Sequence, residues 1–526
     1  DKAVLDRVAA AGLLVQYGPP GGIYSQHDQL RETVAAVRDH PALLLWHMID
    51  EPVLLPDQAV TSLADYITRR RGGEAIARAR ALGPGGTTKE ITLSGLRGRG
   101  GGGFPTGRKW AGVRSDDAGA GDRFVVGNGA EGEPGTFKDR AILRADPYQV
   151  VEGMAVAALT VGARAAYLCV KEKFGAEITR VSVALEEMAG AGLIGDVPIS
   201  LVVGPDHYLF GEEKGLLSAI EGDAPLPRVL PPYVHGLFAT APQLGWSAPP
   251  QAYGLGPELT HESSGGDELG RSNPTLVNNV ETLADVTHIL TRGPEWYRSL
   301  GTPQSPGAVV VTVVGDVRRP AVAEVELGRP LGEVIEEVSG GVAPGRRIKA
   351  VFSGVANGVI RGDQLDAPMS YEGLSAIGSG LGSAGFIVYD DTADMLSVAR
   401  VLSRFLYVES CGQCPACKFG TGEITSYLER IEAGLGSEVD VEIIGRRLET
   451  VTDANRCYLP VEEQLVIGSI LREFPQDVAA HLESRWPPSR SYDLPKIDDL
   501  VDGHVVYDAL QKAKQPDWTY ASPDGD

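Results

Sequence analysis

The sequence predicts an α/β fold that continues into a helical region, and three patterns along the chain support this. Short apolar runs alternate with helical patterns between residues 86 and 295, which is typical of a parallel sheet. Residues 306–390 change to closely spaced strand patterns with one short helical stretch. From Asp394 onward the apolar residues recur at helical spacing, which indicates packed helices.

The length of 526 residues allows three to four domains, and the changes of pattern suggest where they divide. In the N-terminal part, Pro56 is expected to begin a helix that ends near the arginines at 69–71, where cations suit the helix dipole. A Gly-, Pro- and Ser-rich stretch at 239–271 is interpreted as an inserted surface loop. The predicted parts are a mostly helical extension (1–85), an α/β domain (86–295), a strand-rich domain (296–390), a helical domain (391–485) and an extended tail (486–526).

The composition excludes some classes of function. With 48 basic and 70 acidic residues, the net charge is −22, which argues against a nucleic-acid partner because phosphates demand a basic face. The longest apolar stretch, 154–170, is interrupted by Arg164 and is alanine-rich, so it indicates a packed helix rather than a membrane span. The chain does not begin with a secretory signal pattern, so we expect a cytoplasmic protein, either free or peripheral to a membrane complex.

The run from Gly95 to Trp110 is the most informative stretch. It carries seven glycines, three arginines and one lysine around a Phe-Pro-Thr turn. Glycine lets the backbone approach a ligand closely, and successive N–H groups can form an anion-binding concavity. The alternative is a flexible linker, but linkers rarely carry Phe, Pro and Trp among basic residues. The run therefore predicts a site for a phosphorylated cofactor.

Four of the five cysteines form one metal-binding pattern. Cys411, Cys414 and Cys417 are spaced CxxCxxC, and Cys457 follows 40 positions after the third. A tight loop of three thiolates closed by a remote fourth fits a cubane iron–sulfur cluster. A structural zinc ion held by the same thiolates is the alternative that spacing alone leaves open. Cys169 lies in a buried strand pattern and is interpreted as a core residue.

Five segments in a fixed order resemble one protein family. They are the glycine-rich run and the segments at 127–140, 208–217, 273–283 and 409–420. Together they resemble the NADH-oxidising flavoprotein subunit of respiratory complex I and the related diaphorases of NAD-linked hydrogenases and formate dehydrogenases. The resemblance covers roughly residues 60–475. It implies a Rossmann-like FMN/NAD domain, a ubiquitin-like β-grasp (SLBB-like) domain and a C-terminal helical bundle that carries a [4Fe–4S] cluster.

The resemblance also implies a set of cofactor-binding residues. The FMN phosphate and ribityl chain would be held by Gly98, Arg99, Gly100 and Lys109. The rest of the flavin pocket would comprise Asn128, Glu131, Tyr208, Gly211, Glu212, Val277, Asn278, Asn279 and Thr282. The dinucleotide would meet Phe104, Glu133, Glu213 and Tyr233, while the cluster would be held by Cys411, Cys414, Cys417 and Cys457.

The carboxylates in this set favour NAD over NADP, because a carboxylate accepts from a ribose 2′-hydroxyl and repels a 2′-phosphate. Glu131 and Glu133 would position the reactants, and no side chain is required as a general base. Without the neighbouring motifs, these two residues would equally suit a solvated acidic turn before Pro134. Three groups usual in the family are replaced here, by Gly112, Ala130 and Leu230, so flavin binding is better supported than nicotinamide binding.

The implied function is an NADH dehydrogenase of the diaphorase type within a larger complex. It transfers hydride between NAD(H) and FMN and single electrons between FMN and a [4Fe–4S] cluster. Two alternatives stay open: an FMN and [4Fe–4S] electron-transfer subunit with lost or altered NAD binding, and a non-enzymatic scaffold with zinc. The family implies a thioredoxin-like [2Fe–2S] partner and a larger iron–sulfur, molybdenum or nickel subunit. The tail and the 239–271 insertion are the expected docking surfaces.

Overall fold

The computed structural model describes residues 59–114, 121–240, 270–483, 490–501 and 503–520. The predictions for residues 1–58 and for most of the 239–271 insertion lie outside these ranges. The first described helix begins at Leu63, where Ser62 caps it by accepting a hydrogen bond from the Asp65 amide, and the start expected at Pro56 lies outside the described residues.

A four-stranded parallel sheet forms the centre of the first half of the chain. The strand order is β3-β2-β1-β4, as the alternating pattern predicts. The strands are β1 (Phe124–Asn128), β2 (Ala165–Lys171), β3 (Ile199–Gly204) and β4 (Thr275–Asn279). The helices of this part are α1 (Leu63–Arg70), α2 (Glu74–Ser94), α3 (Thr106–Arg114), α4 (Lys138–Ala145), α5 (Pro147–Val161), α6 (Gly175–Gly190), α7 (Glu213–Ile220), α8 (Val280–Arg292) and α9 (Pro294–Arg298), with a 3₁₀ turn at Tyr208–Gly211.

Helix α5 is the long apolar helix that the sequence predicts, and its ends follow from local chemistry. Asp146 caps the first turn by accepting from the Gln149 amide, and Pro147 occupies the first helical position, where its missing N–H costs nothing. The helix ends at Val161, within the apolar stretch 154–170, because Gly162 adopts a left-handed conformation with φ 68°. Its nearly continuous burial places it in the core beside the sheet.

A five-stranded mixed sheet forms the second part, in the order β6-β5-β9-β7-β8. Strands β5 and β9 run parallel, and the remaining neighbours are antiparallel. The strands are β5 (Ala308–Gly315), β6 (Ala321–Glu326), β7 (Ile348–Ser353), β8 (Ile360–Arg361) and β9 (Gly385–Asp390), with helices α10 (Leu331–Ser339) and α11 (Tyr371–Ala376). The apolar face of α10 shares a core with this sheet.

Five helices follow and carry the cysteines: α12 (Met395–Glu409), α13 (Pro415–Glu432), α14 (Glu438–Thr450), α15 (Leu459–Glu473) and α16 (Pro475–Leu482). Their buried side chains join one hydrophobic core with residues of the mixed sheet. In the part of the chain that the structure describes, no helix is both long and apolar enough to cross a membrane.

Two parts of the chain have features that the sequence pattern did not indicate. Helix α2 is interrupted at Gly83, which has φ 68°, close to the predicted boundary at residue 85, and Ile76 and Ala79 before this break belong to the core of the parallel sheet. The described part of the tail forms a hairpin of β10 (Ile497–Val501) and β11 (His504–Tyr507) and a 3₁₀ turn at Ala509–Lys512. Lys514 anchors it to its own chain through both carboxylate oxygens of Glu409, at 2.9 Å each, and both side chains are fully buried.

Candidate functional site

A large cavity lies where strands β1 and β4 end. Asn128 and Asn279 are the last residues of these two strands, are paired in register, and both line the cavity. From β1 the chain continues to β2 and β3 on one side of the sheet, whereas β4 lies on the other side of β1. The strand order therefore reverses between β1 and β4. Open α/β sheets bind ligands at such switch points. The cavity holds about 650 Å³, within the range of about 300–1,000 Å³ that is usual for cofactor sites.

The structure brings together about half of the residues that the resemblance implied. Those that line the cavity are Gly100, Asn128, Glu131, Glu133, Tyr208, Gly211, Glu212 and Asn279. Those outside its wall are Gly98, Arg99, Phe104, Lys109, Glu213, Tyr233, Val277, Asn278 and Thr282.

The side chain of Arg99 lies inside the protein rather than in the wall of the cavity. Its guanidinium is buried and donates to the Tyr297 hydroxyl at 2.7 Å and to the Ala308 carbonyl at 2.8 Å, and it pairs with Asp285 at 3.4 Å. Its backbone amide donates to Thr282 Oγ1 at 2.9 Å. A buried guanidinium must satisfy its donors inside the protein. The guanidinium and the backbone amide of Arg99 therefore both attach the glycine-rich loop to the protein interior.

A second anchor of the loop comes from the mixed sheet. The Tyr371 hydroxyl donates to the Gly98 carbonyl at 2.9 Å, and the Arg97 guanidinium lies 4.0 Å from the centre of the Tyr371 ring. Gly103 has φ 58°, and a Cβ there would lie 2.4 Å from that ring. Glycine is therefore required at this position both for its conformation and for the close approach of the tyrosine.

The other displaced residues have identifiable partners or exposed positions. Lys109 forms an ion pair with Glu213 outside the cavity wall. Asn278 accepts a hydrogen bond from Trp110 Nε1 at 2.8 Å, which directs its side chain into the core. Val277 is buried as well, whereas Phe104 and Tyr233 are about half exposed. None of these side chains contacts the space that Gly100 and Asn128 line.

Sequence reasoning missed Lys138, although it lies within the 127–140 motif. Among the described residues that line the cavity, Lys138 carries the one positive charge. Its ammonium donates to Asp139 at 2.6 Å and to Asn279 Oδ1 at 3.0 Å, and it pairs with Glu281 at 2.9 Å. These buried carboxylates hold the pKa of Lys138 above its usual range despite burial, which keeps the cation charged.

The carboxylates of the cavity are held in different ways. Glu131 accepts from Arg140 Nε at 2.9 Å and from the Asp139 amide at 3.2 Å. Glu212 caps α7 by accepting from the amides of Lys214 and Gly215, and burial raises its pKa to about 7. Glu131 is thus committed to an internal ion pair, while the Glu212 carboxyl changes charge near neutral pH.

Glu133 belongs to a three-member contact. It accepts from the Tyr208 hydroxyl at 2.5 Å and from the Val355 amide at 2.5 Å. The same hydroxyl lies 3.1 Å from Glu462 Oε1 on α15, another lining residue that sequence reasoning missed. Burial raises the pKa of Glu133 to about 6, and burial together with the charge of Glu133 raises that of Glu462 well above its usual range.

The cavity fits a flavin mononucleotide in its size and in its unused hydrogen-bonding capacity. Its wall includes Gly100, Gly101 and Gly102, where bare backbone can approach a ligand. The buried Nδ2 of Asn357, also in the wall, has no hydrogen-bond partner within the described residues. Since buried polar atoms are normally paired, such an orphaned donor favours a ligand with acceptor atoms at this place.

All four cysteines of the predicted metal site line one small cavity. Gly412 has φ 78° and Pro415 opens α13, which provides the tight loop that the sequence predicts. Ser410 Oγ lies 3.3 Å from Cys417 Sγ, and Gln413 Nε2 lies 3.6 Å from Cys411 Sγ. Polar groups of this kind around the sulfurs tune the reduction potential of a cluster.

Both a cluster and a single zinc ion need four thiolates brought to one place, and the shared cavity provides this.

The two cavities are neighbours. Leu209, Cys457 and Leu459 line both of them. One of the four cysteines therefore contributes to the wall of the larger cavity, and a cofactor held there would lie beside whatever the cysteines bind.

Comparisons with known proteins agree with this arrangement. The family model described as the Nuo51 FMN-binding domain matches residues 91–288, and the model described as the NADH-ubiquinone oxidoreductase-F iron-sulfur binding region matches residues 397–481. The second F subunit of NADH-quinone oxidoreductase in Rhizobium meliloti (strain 1021) is 36% identical over 452 residues, covering 83% of this chain and 99% of that protein. The NADP-reducing hydrogenase subunit HndC of Solidesulfovibrio fructosivorans is 32% identical over 440 residues, covering 81% of this chain and 82% of that protein.

A solved structure gives the same result for the fold. The crystal structure of an NAD+-reducing [NiFe]-hydrogenase in the air-oxidized state matches with a TM-score of 0.68 and 28% sequence identity, covering 86% of this chain and 72% of that chain. The resemblance inferred from the ordered motifs is thereby confirmed. This chain belongs to the family formed by the F subunits of NADH-quinone oxidoreductases.

Proposed function

We propose that this chain is the NADH dehydrogenase (diaphorase) subunit of a multi-subunit redox complex. It transfers hydride between NAD(H) and FMN, and single electrons between FMN and a [4Fe–4S] cluster. The observation that carries this proposal is the shared wall of the two cavities, in which Cys457 belongs both to the cysteine set and to the cavity at the sheet edge.

The residues around the cavity suit the binding of a phosphorylated flavin. Gly100, Gly101 and Gly102 would let the backbone and its N–H groups approach the phosphate of the cofactor. Asn357 would donate to an acceptor atom of the flavin. When bound, FMN supplies the chemistry that links a two-electron hydride to one-electron carriers, while the protein supplies position and electrostatics.

The buried residues behind the loop have a supporting role in this proposal. Arg99 and Thr282 would hold the glycine-rich loop in place, and Asn278 would orient Trp110 beneath it. Phe104 and Tyr233 remain proposed contacts of the dinucleotide, because half-exposed rings are accessible for stacking.

The cluster would be held by Cys411, Cys414, Cys417 and Cys457, whose sulfurs line one cavity. We further propose that the mixed sheet with α10 is the ubiquitin-like β-grasp domain and that α12–α16 form the helical bundle of the cluster. The observed packing supports a division near residues 295 and 390, with residues 59–85 assigned to the α/β domain.

The partners proposed for the chain are a thioredoxin-like [2Fe–2S] subunit and a larger iron–sulfur, molybdenum or nickel subunit. The four clustered cysteines can hold one cluster, so electrons must leave to another protein or arrive from one. The described tail is packed on its own chain, so it is a poorer candidate for the docking surface than its sequence indicated.

A second function is favoured by the replaced pocket residues. Ala130 lies in the cavity wall where the family usually has Asp, and Lys109 and Glu213 pair with each other outside it. These features favour an FMN and [4Fe–4S] electron-transfer subunit with weakened or lost NAD binding.

Cofactor analysis and a binding measurement test both functions. The purified chain should contain FMN, iron and acid-labile sulfide in the ratio of one flavin to four irons. Zinc without iron would contradict the proposal in both forms. NAD+ binding to the oxidised, flavin-loaded chain would support the first function, and its absence with both cofactors present would support the second.

A further inference from the structure

Two carboxylates and one phenol meet in the wall of the cavity. Glu133 comes from the loop after β1, Tyr208 from the 3₁₀ turn, and Glu462 from the first turn of α15. The Tyr208 hydroxyl lies 2.5 Å from Glu133 Oε2 and 3.1 and 3.2 Å from the two Glu462 oxygens. We call these three residues the carboxylate–phenol unit.

The hydrogens available to this unit favour an extra proton on it. A phenol has one hydrogen, and the shortest contact of the Tyr208 hydroxyl is with Glu133, at 2.5 Å, against 3.1 and 3.2 Å for the two Glu462 oxygens. The other Glu133 oxygen accepts from the Val355 amide at 2.5 Å, which suits an ionised carboxylate. As a carboxylic acid, Glu462 would bring a hydrogen of its own to the Tyr208 oxygen.

The surroundings favour the protonated form of Glu462. The residue is only 6% exposed and faces the charge of Glu133, and both effects raise its pKa. Lys138 is neutralised by its own buried carboxylates. The other titratable groups in the cavity wall, from all elements that pack against it, are Glu131, Asp139, Glu212, Cys457 and Tyr458.

This excess of acidic groups matters for the ligand. A dinucleotide brings a pyrophosphate, whose negative charge is repelled by carboxylates in a low-dielectric cavity. A proton on Glu462 removes one of these charges. Any anion that enters should therefore bind more tightly to the protonated cavity, and by linkage should favour uptake of the proton.

We propose that Glu462 is a specificity-determining residue of the dinucleotide site, whose carboxylic acid hydrogen neutralises the carboxylate–phenol unit and lets the acidic cavity accept an anionic dinucleotide. Loss of this hydrogen at alkaline pH expels the ligand. The inference rests on the proposed function, because the ligand is NAD(H).

The test is the binding of NAD+ to the oxidised protein loaded with FMN and cluster, measured by calorimetry from neutral to alkaline pH. NAD+ cannot reduce the oxidised flavin, so binding is read without turnover. In the wild type, the dissociation constant should rise by up to tenfold per pH unit on the alkaline side, since at most one proton is linked. Repeating the titration in buffers of different ionisation enthalpy should reveal the uptake of up to one proton per NAD+.

Glu462→Gln is the diagnostic variant, because the amide is neutral at every pH and can still donate to Tyr208. It should bind NAD+ with little pH dependence and without the proton uptake. Glu463→Gln is the matched control, since Glu463 is equally buried on the same helix but contacts Ser403 rather than the cavity. This control should keep the alkaline weakening seen in the wild type.

The outcomes separate the two proposals. If Glu462→Gln retains the pH dependence of the wild type, or if NAD+ binding releases protons, the role of Glu462 is overturned while the proposed function stands. If none of the three proteins binds NAD+ at any pH, the proposed diaphorase function is overturned and this inference with it. An infrared difference spectrum of wild type minus Glu462→Gln at neutral pH should show a carboxylic acid carbonyl band, and its absence would also overturn the inference.

Discussion

Glu463→Gln should remove a pH dependence of stability that a single buried acid imposes on the cluster-binding helices. Glu463 is fully buried, accepts one hydrogen bond from Ser403 Oγ at 2.6 Å, and its second oxygen has no partner among the described residues. Burial raises its pKa to about 8. The unfolded chain, with an ordinary glutamate pKa of about 4.3, loses this proton first as the pH rises.

The sign and the size of the effect follow from this difference. The pKa of Glu463 is higher in the folded protein than in the unfolded chain. The contribution of protonated Glu463 to the free energy of unfolding is therefore complete below about pH 4.3 and is lost as the pH rises to about 8. A difference of more than three pH units corresponds to roughly 4–5 kcal/mol at about 1.36 kcal/mol per unit. Burying the extra amide hydrogens of Gln costs about 1–3 kcal/mol at all pH values, so the slope is the diagnostic quantity.

Hydrogen exchange of α12 and α15, corrected for the intrinsic pH dependence of exchange, measures this slope for the helical region alone. The wild type should lose protection between about pH 4.3 and 8, and Glu463→Gln should lose much less. Glu442→Gln, an exposed substitution on the neighbouring α14, should behave like the wild type. Parallel slopes for the wild type and Glu463→Gln would refute the reasoning.

Three further predictions concern groups elsewhere in the chain. Lys138→Met should lower the free energy of hydrogen-exchange protection of α4 and α8 by about 3–5 kcal/mol, because it leaves buried carboxylates without their cation. The control Lys512→Met removes one member of an exposed ion pair and should cost at most about 1 kcal/mol. Equal losses in the two variants would contradict the structural role given to Lys138. Burial lowers the pKa of His288 to about 3, so on acidification the unfolded chain takes up a proton at this histidine before the folded protein does. Stability to urea should therefore fall as the pH drops from about 6.5 towards 3. His288→Gln should flatten this fall, and an unchanged pH profile in the variant would contradict the role of His288. Cys411→Ser removes one of four thiolates and should abolish iron and sulfide binding with FMN retained, as absorbance and metal analysis would reveal; full iron content would argue against the cysteine set.

The main features of the fold follow from local patterns and were predicted from sequence. Short apolar runs separated by helices predicted the parallel sheet. Asn128 and Asn279 lie side by side because their strands, β1 and β4, pair in parallel and end at the same edge of that sheet. The CxxCxxC loop was equally predictable, since its geometry depends on adjacent residues. Elements that depend on local spacing are thus accessible to sequence reasoning.

The remaining features depend on contacts between distant residues. The glycine-rich surroundings of Arg99 indicated a phosphate ligand, but Tyr297 and Asp285, far along the chain, bind its side chain inside the protein. Glu462 has the pattern of an ordinary helical glutamate, and only the fold places it beside Glu133.

The tail shows how contacts between distant residues escape sequence reasoning. Its Pro- and Asp-rich composition indicated an extended segment for a partner, and in the described residues Lys514 and Lys496 are buried against acidic residues of the same chain. A buried lysine needs an acidic partner, and that of Lys514 is Glu409, more than 100 positions away. Composition alone cannot reveal such partners.

The cavity at the sheet edge and the cysteine cavity are proposed to form one electron-transfer unit. An anaerobic titration with NADH of the chain carrying both cofactors, with flavin absorbance and the cluster's paramagnetic signal followed in the same sample, tests this most directly. Electrons should appear on the cluster while the flavin is being bleached, because Cys457 and its neighbours separate the two sites by a shared wall. A fully bleached flavin beside a cluster that stays oxidised, although dithionite can reduce it, would contradict the account.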